Sequence, residues 1–287
     1  MAEMFLREDL RGTELLQQGS PEALLHWAAG CAQGADPVDI YRDKEGRRTL
    51  RVHLGERSFF LKSHAGVGWL EICKNLMQLR LPVTGAAREY RAVRRLQSID
   101  VDTLTVAAYA SKGRNPATIA SMILTDDLLH TVSLEDYCAD WAGKPPPFSI
   151  RKRLLLKLAD TARRMHGAGI NHRDFYICHF HLDEASLEQD TLRCYLIDLH
   201  RAQLRRQVPF RWRVKDLAGL YFSAMDCGLS QRDLLRFMHH YTEGGLRVAL
   251  DENAGLWRKV ASLAKALYRK GHGRSPPVIE GVVGGGK

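Results

Sequence analysis

The chain has no C-x-x-C pair; Cys31, Cys73, Cys138, Cys178, Cys194 and Cys227 are scattered along it. That spacing argues against a zinc site and a disulfide framework, and leaves the expectation of six buried thiols in a cytoplasmic protein. No apolar run reaches the roughly 18 residues of a transmembrane helix. Met1 to Leu10 carry Glu3, Glu8 and Asp9 with no apolar core, so they are not expected to act as a secretion signal. There is no G-x-G-x-x-G, so any phosphate-loop signal is weak, and the glycine of a D-F-G is absent. No aromatic-basic motif supports nucleic-acid binding, and no internal repeat is present.

What is present is a chain of 287 residues, 45% hydrophobic and 26% charged. That suits one large domain or two lobes sharing a cleft. A formal charge of +9 points to an anionic partner: a nucleotide, nucleic acid, an anionic lipid or glycolipid, or an acidic protein.

Along the chain, residues 1–36 read as a helical lead-in. Ser20-Pro21-Glu22 starts a helix with a capping serine and first-turn proline, and Gly30 and Gly34 close it. From Tyr41 the period becomes two. Thr49–Leu54 alternates, Gly55-Glu56 turns and Ser58–Lys62 returns as a β-hairpin. Residues 69–81 predict a basic amphipathic helix with Leu70, Cys73, Leu76 and Met77 on one face, ended by Pro82. A helix over 86–97 and strands Thr103–Ala110 and Thr118–Thr125 follow.

After Pro145-Pro146-Pro147 the pattern is helical. Leu154, Leu155, Leu158, Ala162 and Met165 share a face, stopped at Gly167 and Gly169. Lys215–Met225, a helix after the capping box Ser230-Gln231-Arg232-Asp233, and Ala254–Arg269 complete the set. Strands first and helices second are an α+β signature of a two-lobed molecule. The expected divisions are a lead-in at 1–36, a strand-rich lobe at 37–129 with an insert at 66–82, a helical lobe at 130–270, and a disordered tail at 271–287.

The chemistry centres on Asn171-His172-Arg173-Asp174 and on Ile197-Asp198, 24 residues after Asp174. Phosphoryl transfer needs an oriented nucleophile, metal and charge on the phosphates. Asp174 is the candidate base. Asp198, at the end of the apolar strand Cys194–Ile197, is the candidate Mg²⁺ ligand, or a plain strand-end cap. His179 stands five residues after Asp174, where protein kinases place a metal-binding asparagine. Imidazole is softer than Mg²⁺ prefers, so His179 can ligate, bind through water or orient a phosphate oxygen.

Lys62 ends Phe59-Phe60-Leu61-Lys62 and is placed either to reach nucleotide phosphates or to snorkel. Glu89 lies within the stripe of Val93 and Leu96, so it faces inward and needs a cation, with Lys62 the natural one. Gly46, with Arg48 two residues on, leads into the hairpin and can cover phosphates or form a surface turn. Each feature alone is ambiguous, but all of them occur in the order that kinase-like folds use.

These stretches resemble the lipopolysaccharide core heptose kinase family (RfaP/WaaP type), relatives of the Kdo kinases. The resemblance rests on Glu45-Gly46-Arg47-Arg48-Thr49-Leu50, Gly66-Val67-Gly68-Trp69, Lys74-Asn75-Leu76 and Leu81-Pro82-Val83. It rests further on Asn171 through Phe180, Asp198-Leu199-His200-Arg201-Ala202 and Lys215-Asp216-Leu217-Ala218, and spans roughly 40–270. It implies a protein-kinase-like fold with the active site between a β-rich and a helical lobe. It also implies ATP and Mg²⁺, and phosphorylation of an inner-core heptose at the cytoplasmic face of the inner membrane.

By the same match Asp174 becomes the base, Asp198 the metal ligand and Lys62 the phosphate lysine paired to Glu89. His179 fits this family, and Thr125-Asp126-Asp127-Leu128 becomes a hinge whose backbone binds adenine. The basic insert is a candidate contact for core oligosaccharide, membrane or an acidic partner such as acyl carrier protein. Alternatives are a kinase for Kdo or another sugar, and a non-catalytic pseudokinase binding glycolipid or protein. Which heptose and which hydroxyl is phosphorylated stays open at this level.

Overall fold

The computed structural model describes residues 2–10, 15, 19–44, 46–77 and 83–279. The chain forms two compact units. One comprises Met1–Arg94, Leu104–Leu129 and Leu199–Arg201, the other Arg95–Thr103, His130–Asp198 and Ala202–Lys287.

In chain order the first unit contains β1 (Ala2–Leu6), α1 (Pro21–Gly34), β2 (Ile40–Lys44), β3 (Arg47–Leu54) and β4 (Arg57–Ala65). It continues with α2 (Gly68–Met77), α3 (Ala87–Gln97, whose last turn passes into the second unit), β5 (Val106–Lys112) and β6 (Ala120–Asp126). The strands form one antiparallel sheet in the order β1-β5-β6-β4-β3-β2. Period-two alternation divides its faces. Leu50, Val52, Phe59, Leu61, Ala108, Ala110, Met122 and Leu124 form one core with Leu24, Ala28 and Ala32 of α1. From the opposite side of each strand's alternation, Lys62 meets Glu89 of α3, and Tyr109 stacks on Tyr90 with ring centroids 4.2 Å apart.

Residues 1–36, read from sequence as a lead-in, are part of this unit. β1 pairs with β5 in register from Ala2↔Lys112 to Leu6↔Ala108, and α1 covers the sheet. Full burial of Leu24 alone stabilises that cover by roughly 1.5–3 kcal/mol. The expected helix start is present: Ser20 Oγ accepts the Ala23 N–H at 3.2 Å with Pro21 at the first helical position. Just past β1, Arg7 donates to both carboxylate oxygens of Asp126, at 2.6 and 2.8 Å, tying the edge strand to the end of β6.

The insert helix forms as α2, but its predicted apolar face is not covered. Ile72 is buried, while Trp69, Leu70, Cys73 and Met77 are exposed, Leu70 at 91%. Pro82, expected to end the helix, lies outside the described residues, and the Leu76 side chain is likewise not described. The expectation of six buried thiols is also corrected. None of the six forms a disulfide, and only Cys138, Cys194 and Cys227 are buried.

The second unit contains β7 (Thr131–Ser133), α4 (Leu134–Tyr137), α5 (Phe148–Gly167), β8 (Ile170–Asn171), β9 (Phe180–Asp183) and β10 (Cys194–Leu196). Beyond these lie β11 (Gln203–Leu204), α6 (Phe210–Ala224), α7 (Gln231–Tyr241), α8 (Gly245–Leu250) and α9 (Ala254–His272). A three-stranded sheet runs β10-β9-β7, and β8 pairs β11. The helical periodicity read from sequence buries Leu154, Ala162 and Met165 of α5, Leu217 and Leu220 of α6, and Leu256, Val260 and Ala264 of α9. The Ser230–Asp233 capping box is present at the start of α7. Of the tail expected at 271–287, residues 280–287 lie outside the described residues. Among the described residues no helix is long and apolar enough to cross a membrane.

Candidate active site

The turn after α5 sets the first functional segment. Gly169 has φ +80°, and a Cβ there would stand 1.9 Å from the Arg205 carbonyl oxygen. Only glycine therefore allows the Arg205 N–H to reach the Gly169 carbonyl at 2.8 Å and β8 to pair with β11. Asn171 and His172 follow, both fully buried.

His172 Nε2 donates to the Ile197 carbonyl at 2.9 Å, and Nδ1 accepts the Asp174 N–H at 3.3 Å. Those partners call for the neutral Nε2–H tautomer. Burial pushes this imidazole below the usual histidine range, against the charge of Asp216. One neutral ring thus joins the loop bearing Asp174 to the strand end bearing Asp198.

Arg173 and Asp198 both adopt left-handed backbone, with φ +79° and +60°. Such non-glycine residues cost on the order of 1–3 kcal/mol and persist only where their surroundings over-determine them. For Arg173 the restraint is Asp216, 1% exposed, on the inner face of α6. Its carboxylate accepts the backbone N–H groups of His172 at 2.7 Å and Arg173 at 2.8 Å, with His166 Nε2 at 3.3 Å. The sequence reading quoted Lys215-Asp216-Leu217-Ala218 but gave Asp216 no role. The signal was available, because an acid inside an apolar helical stripe needs donors, the same argument that singled out Glu89.

His179 ends a short turn, Ile177–His179, and donates from Nδ1 to the Asp174 carbonyl at 2.6 Å. Its Nε2 lies 3.6 Å from Asp198 Oδ2. The Ile197 N–H returns to the His179 carbonyl at 2.9 Å, which locks the two segments together. Burial disfavours a charged ring here, but hydrogen bonds to Cys178 and the Asp174 carbonyl, with the Asp198 charge, outweigh it and hold His179 at about 9. The structure thus brings Asp174, His179 and Asp198 into one hydrogen-bonded frame within the second unit. Among the described residues no group of three or more His, Cys, Asp or Glu side chains is placed to hold a metal. Asp198 offers one donor, and His179 Nε2 a second once a cation displaces its proton, which suits a cation that takes its remaining ligands from phosphate oxygens and water.

In the first unit Lys62 and Glu89 meet. Lys62 Nζ donates to Glu89 Oε1 at 2.6 Å, and Glu89 is 1% exposed with Oε2 lacking any donor among the described residues. Gly46 turns the hairpin with φ +70°, and a Cβ there would stand 2.6 Å from the Gly66 carbonyl oxygen. The Ala65 N–H bonds the Gly46 carbonyl at 3.0 Å, so the turn packs flat on the strand end. Glu45 lies outside the described residues.

Arg48 Nη1 donates to the Ala32 carbonyl in the last turn of α1 at 2.8 Å, a structural use that the phosphate reading did not anticipate. Thr125 is buried on β6, opposite Phe60. Asp127 spends its carboxylate on Ser58 Oγ at 2.9 Å and Arg51 Nε at 3.1 Å, and the N–H groups of Asp126 and Asp127 bond the carbonyls of Thr105 at 2.9 Å and Ser58 at 3.2 Å.

A separate apolar cavity of about 170 Å³ lies within the second unit, lined by Leu155, Leu158, Leu220, Phe237, Met238 and Val260 among others.

Against known proteins, residues 33–241 match the model of the Lipopolysaccharide kinase (Kdo/WaaP) family. The chain is 51% identical over 248 residues to the lipopolysaccharide core heptose(I) kinase WaaP of Escherichia coli, covering 83% of this chain and 93% of that protein. It is 47% identical over 247 residues to the enzyme of the same name from Pseudomonas aeruginosa PAO1, covering 83% and 92%. A solved structure of WaaP in complex with acyl carrier protein superposes with a TM-score of 0.77 at 38% identity, covering 93% of this chain and 99% of that one.

Proposed function

Because this chain belongs to the lipopolysaccharide kinase (Kdo/WaaP) family, we propose that it transfers the γ-phosphate of ATP to a heptose of the lipopolysaccharide inner core. The observation that carries the residue roles is the frame in which His179 bonds the Asp174 carbonyl at 2.6 Å and faces Asp198 at 3.6 Å. That frame fixes an acid and a cation-binding carboxylate relative to each other before any ligand arrives.

In this reading Asp174 orients the acceptor hydroxyl and takes its proton on a carboxylate oxygen as that hydroxyl oxygen bonds to the γ-phosphorus. The bond from the γ-phosphorus to the β–γ bridging oxygen breaks, and ADP leaves. Lys62, aligned by Glu89, places its ammonium on the nucleotide phosphates. Gly46 and its turn cover them, and the segment from Thr125 to Leu128 receives adenine. Asp198 and His179 would hold Mg²⁺, which supplies charge neutralisation to the phosphates. The Nδ1–H bond to Asp174 keeps His179 Nε2 on the Asp198 side, the arrangement expected of an oriented ligand histidine.

The same reading places the protein at the cytoplasmic face of the inner membrane, where lipid A-core is assembled. The exposed Trp69, Leu70 and Met77 of α2 and the formal charge of +9 support contact with an anionic lipid surface. Acyl carrier protein is a further partner, as it is for the WaaP of the solved complex. An acyl chain suits the apolar cavity of the second unit.

The test is phosphate analysis of core oligosaccharide from cells lacking the gene, complemented with wild-type or Asp174→Ala protein. One heptose should lose its phosphate in the deletion, regain it with wild type and not with the variant. An unchanged core would refute the reading.

A further inference from the structure

Four cations converge on one indole beside the proposed base. Arg173, Arg205 and Arg211 place their guanidinium carbons 5.2, 5.8 and 5.2 Å from the Trp212 ring centroid, and Lys215 Nζ is 4.7 Å away. Trp212, Arg211 and Lys215 come from the first turns of α6, Arg205 from just past β11, and Arg173 from the loop bearing Asp174. All lie within the second unit.

Cation–π attraction holds each cation to the indole but leaves their mutual repulsion uncompensated. Like charges this close repel, and the first turn of α6 has no acidic residue although a helix N-terminus favours anions and disfavours cations. Among the described residues no carboxylate lies within ion-pair distance of Arg205, Arg211 or Lys215. The nearest acid in sequence, Asp216, is committed to the His172 and Arg173 N–H groups and to His166. Arg205 is oriented by a 2.5 Å bond to Asn171 Oδ1, so one of the cations is pre-set. The Trp212 indole nitrogen is buried with no acceptor. With Arg205, Arg211 and Lys215 lacking a carboxylate partner among the described residues, the site gains most when an anion enters it.

The geometry points to an acceptor subsite for an acidic sugar. Arg173, Arg205, Arg211 and Lys215, grouped on Trp212, bind a carboxylate or phosphate carried by the sugar next to the one that Asp174 activates. This deepens the proposed function and rests on it for the role of Asp174. Arg173 and Asp174 are consecutive residues, about 3.8 Å apart at Cα. An anion on the arginine and a hydroxyl on the aspartate are therefore held by neighbouring residues, so that one oligosaccharide can meet both. The half-buried indole adds a flat apolar wall, which free phosphate would not need but a sugar ring uses.

The test uses the full chain and three core oligosaccharides: intact, with carboxylates reduced to alcohols, and with phosphates removed. Binding is read by calorimetry and transfer by the KM for each oligosaccharide. The double variant Arg211→Ala/Lys215→Ala should bind the intact oligosaccharide at least tenfold more weakly, with a matching rise in KM. Its ATP affinity and melting temperature should be unchanged, because both side chains are exposed. Arg211→Lys/Lys215→Arg should retain most of the affinity.

In wild type the same loss should follow carboxyl reduction if the anion is a sugar acid, or phosphate removal if it is a phosphate. Equal use of the intact oligosaccharide by wild type and the double alanine variant would overturn the subsite while leaving the proposed kinase standing. Indifference of wild type to both modifications would also overturn it. Binding through these cations without any phosphate transfer would sink the kinase reading instead.

Discussion

Asp216 holds the backbone of Arg173 in its left-handed conformation by accepting its N–H at 2.8 Å, from a carboxylate only 1% exposed. The residue whose peptide is fixed is the one immediately before Asp174, so Asp216 is a positioning residue for the proposed base. Asp216→Asn keeps the size but replaces one acceptor oxygen by a donor that faces other N–H groups. Each lost charge-assisted bond is worth roughly 1.5–3 kcal/mol. We expect a fall in kcat of about ten- to a hundredfold, little change in the KM for ATP, and a lower melting temperature. Steady-state kinetics with a thermal melt checks this. A lower melting temperature with kcat preserved would leave Asp216 a merely structural residue.

Lys62 and Glu89 form a pair with very unequal exposure, 22% for the lysine side chain against 1% for the glutamate. Lys62→Met strands a buried carboxylate and is expected to destabilise the protein by about 3–5 kcal/mol. Adding Glu89→Leu removes the stranded charge and should restore most of that loss. Phosphate transfer should stay absent in both variants. Chemical denaturation of the single and double variants, beside an ATP turnover assay, separates the stabilising role of the pair from its proposed part in binding phosphate. Activity in the double variant would remove Lys62 from the phosphate site.

His179 reaches Asp174 through one ring nitrogen and Asp198 through the other. An alanine there removes both the proposed ligand and the bond that orients the Asp174 carbonyl. Mg²⁺-dependent tightening of nucleotide binding, measured by calorimetry with and without the cation, should weaken about ten- to a hundredfold. His179→Asn restores a side chain that can donate to the carbonyl while offering oxygen to the metal, and should recover part of the loss. Metal-dependent binding unaffected by His179→Ala would remove His179 from the metal site.

Much of this frame was legible in the sequence because it is local. The hairpin of β3 and β4, the capping box of α7 and the apolar stripes of α5, α6 and α9 follow from spacing alone. The inward Glu89 followed from its place in such a stripe. What spacing could not show is pairing over distance. Ala2–Leu6 carries no alternation that marks it as a strand, and only its partner, 104 residues away at Phe5↔Tyr109 and 106 at Met4↔Ala110, makes it one. Nor does periodicity say what covers a face. The stripe of Leu70, Cys73 and Met77 is real, yet in the structure it is exposed. Arg48 went to the carbonyl of Ala32 because a neighbouring helix end, invisible in the local pattern, needed a donor.

Asp233 couples fold stability to pH away from the proposed chemistry. It closes the α7 capping box, bonding the Ser230 N–H at 2.9 Å and the Ser230 hydroxyl at 2.6 Å, and it also pairs with Arg151 of α5. Burial would raise its carboxyl, but the Ser230 bonds and the Arg151 charge outweigh that and hold it below the usual aspartate range. A carboxyl lowered by folding contributes stability that is present above the unfolded value of about 3.9. That contribution is lost as pH falls through the folded value. Denaturant unfolding at pH 7 should show Asp233→Asn less stable than wild type by about 1–2 kcal/mol, the size of a lost cap. Repeated at successively lower pH below about 4, the two curves should converge, because wild-type Asp233 then protonates and gives up the same bonds. A gap that stays constant with pH would show that the carboxylate charge contributes nothing and that only side-chain shape matters at this cap.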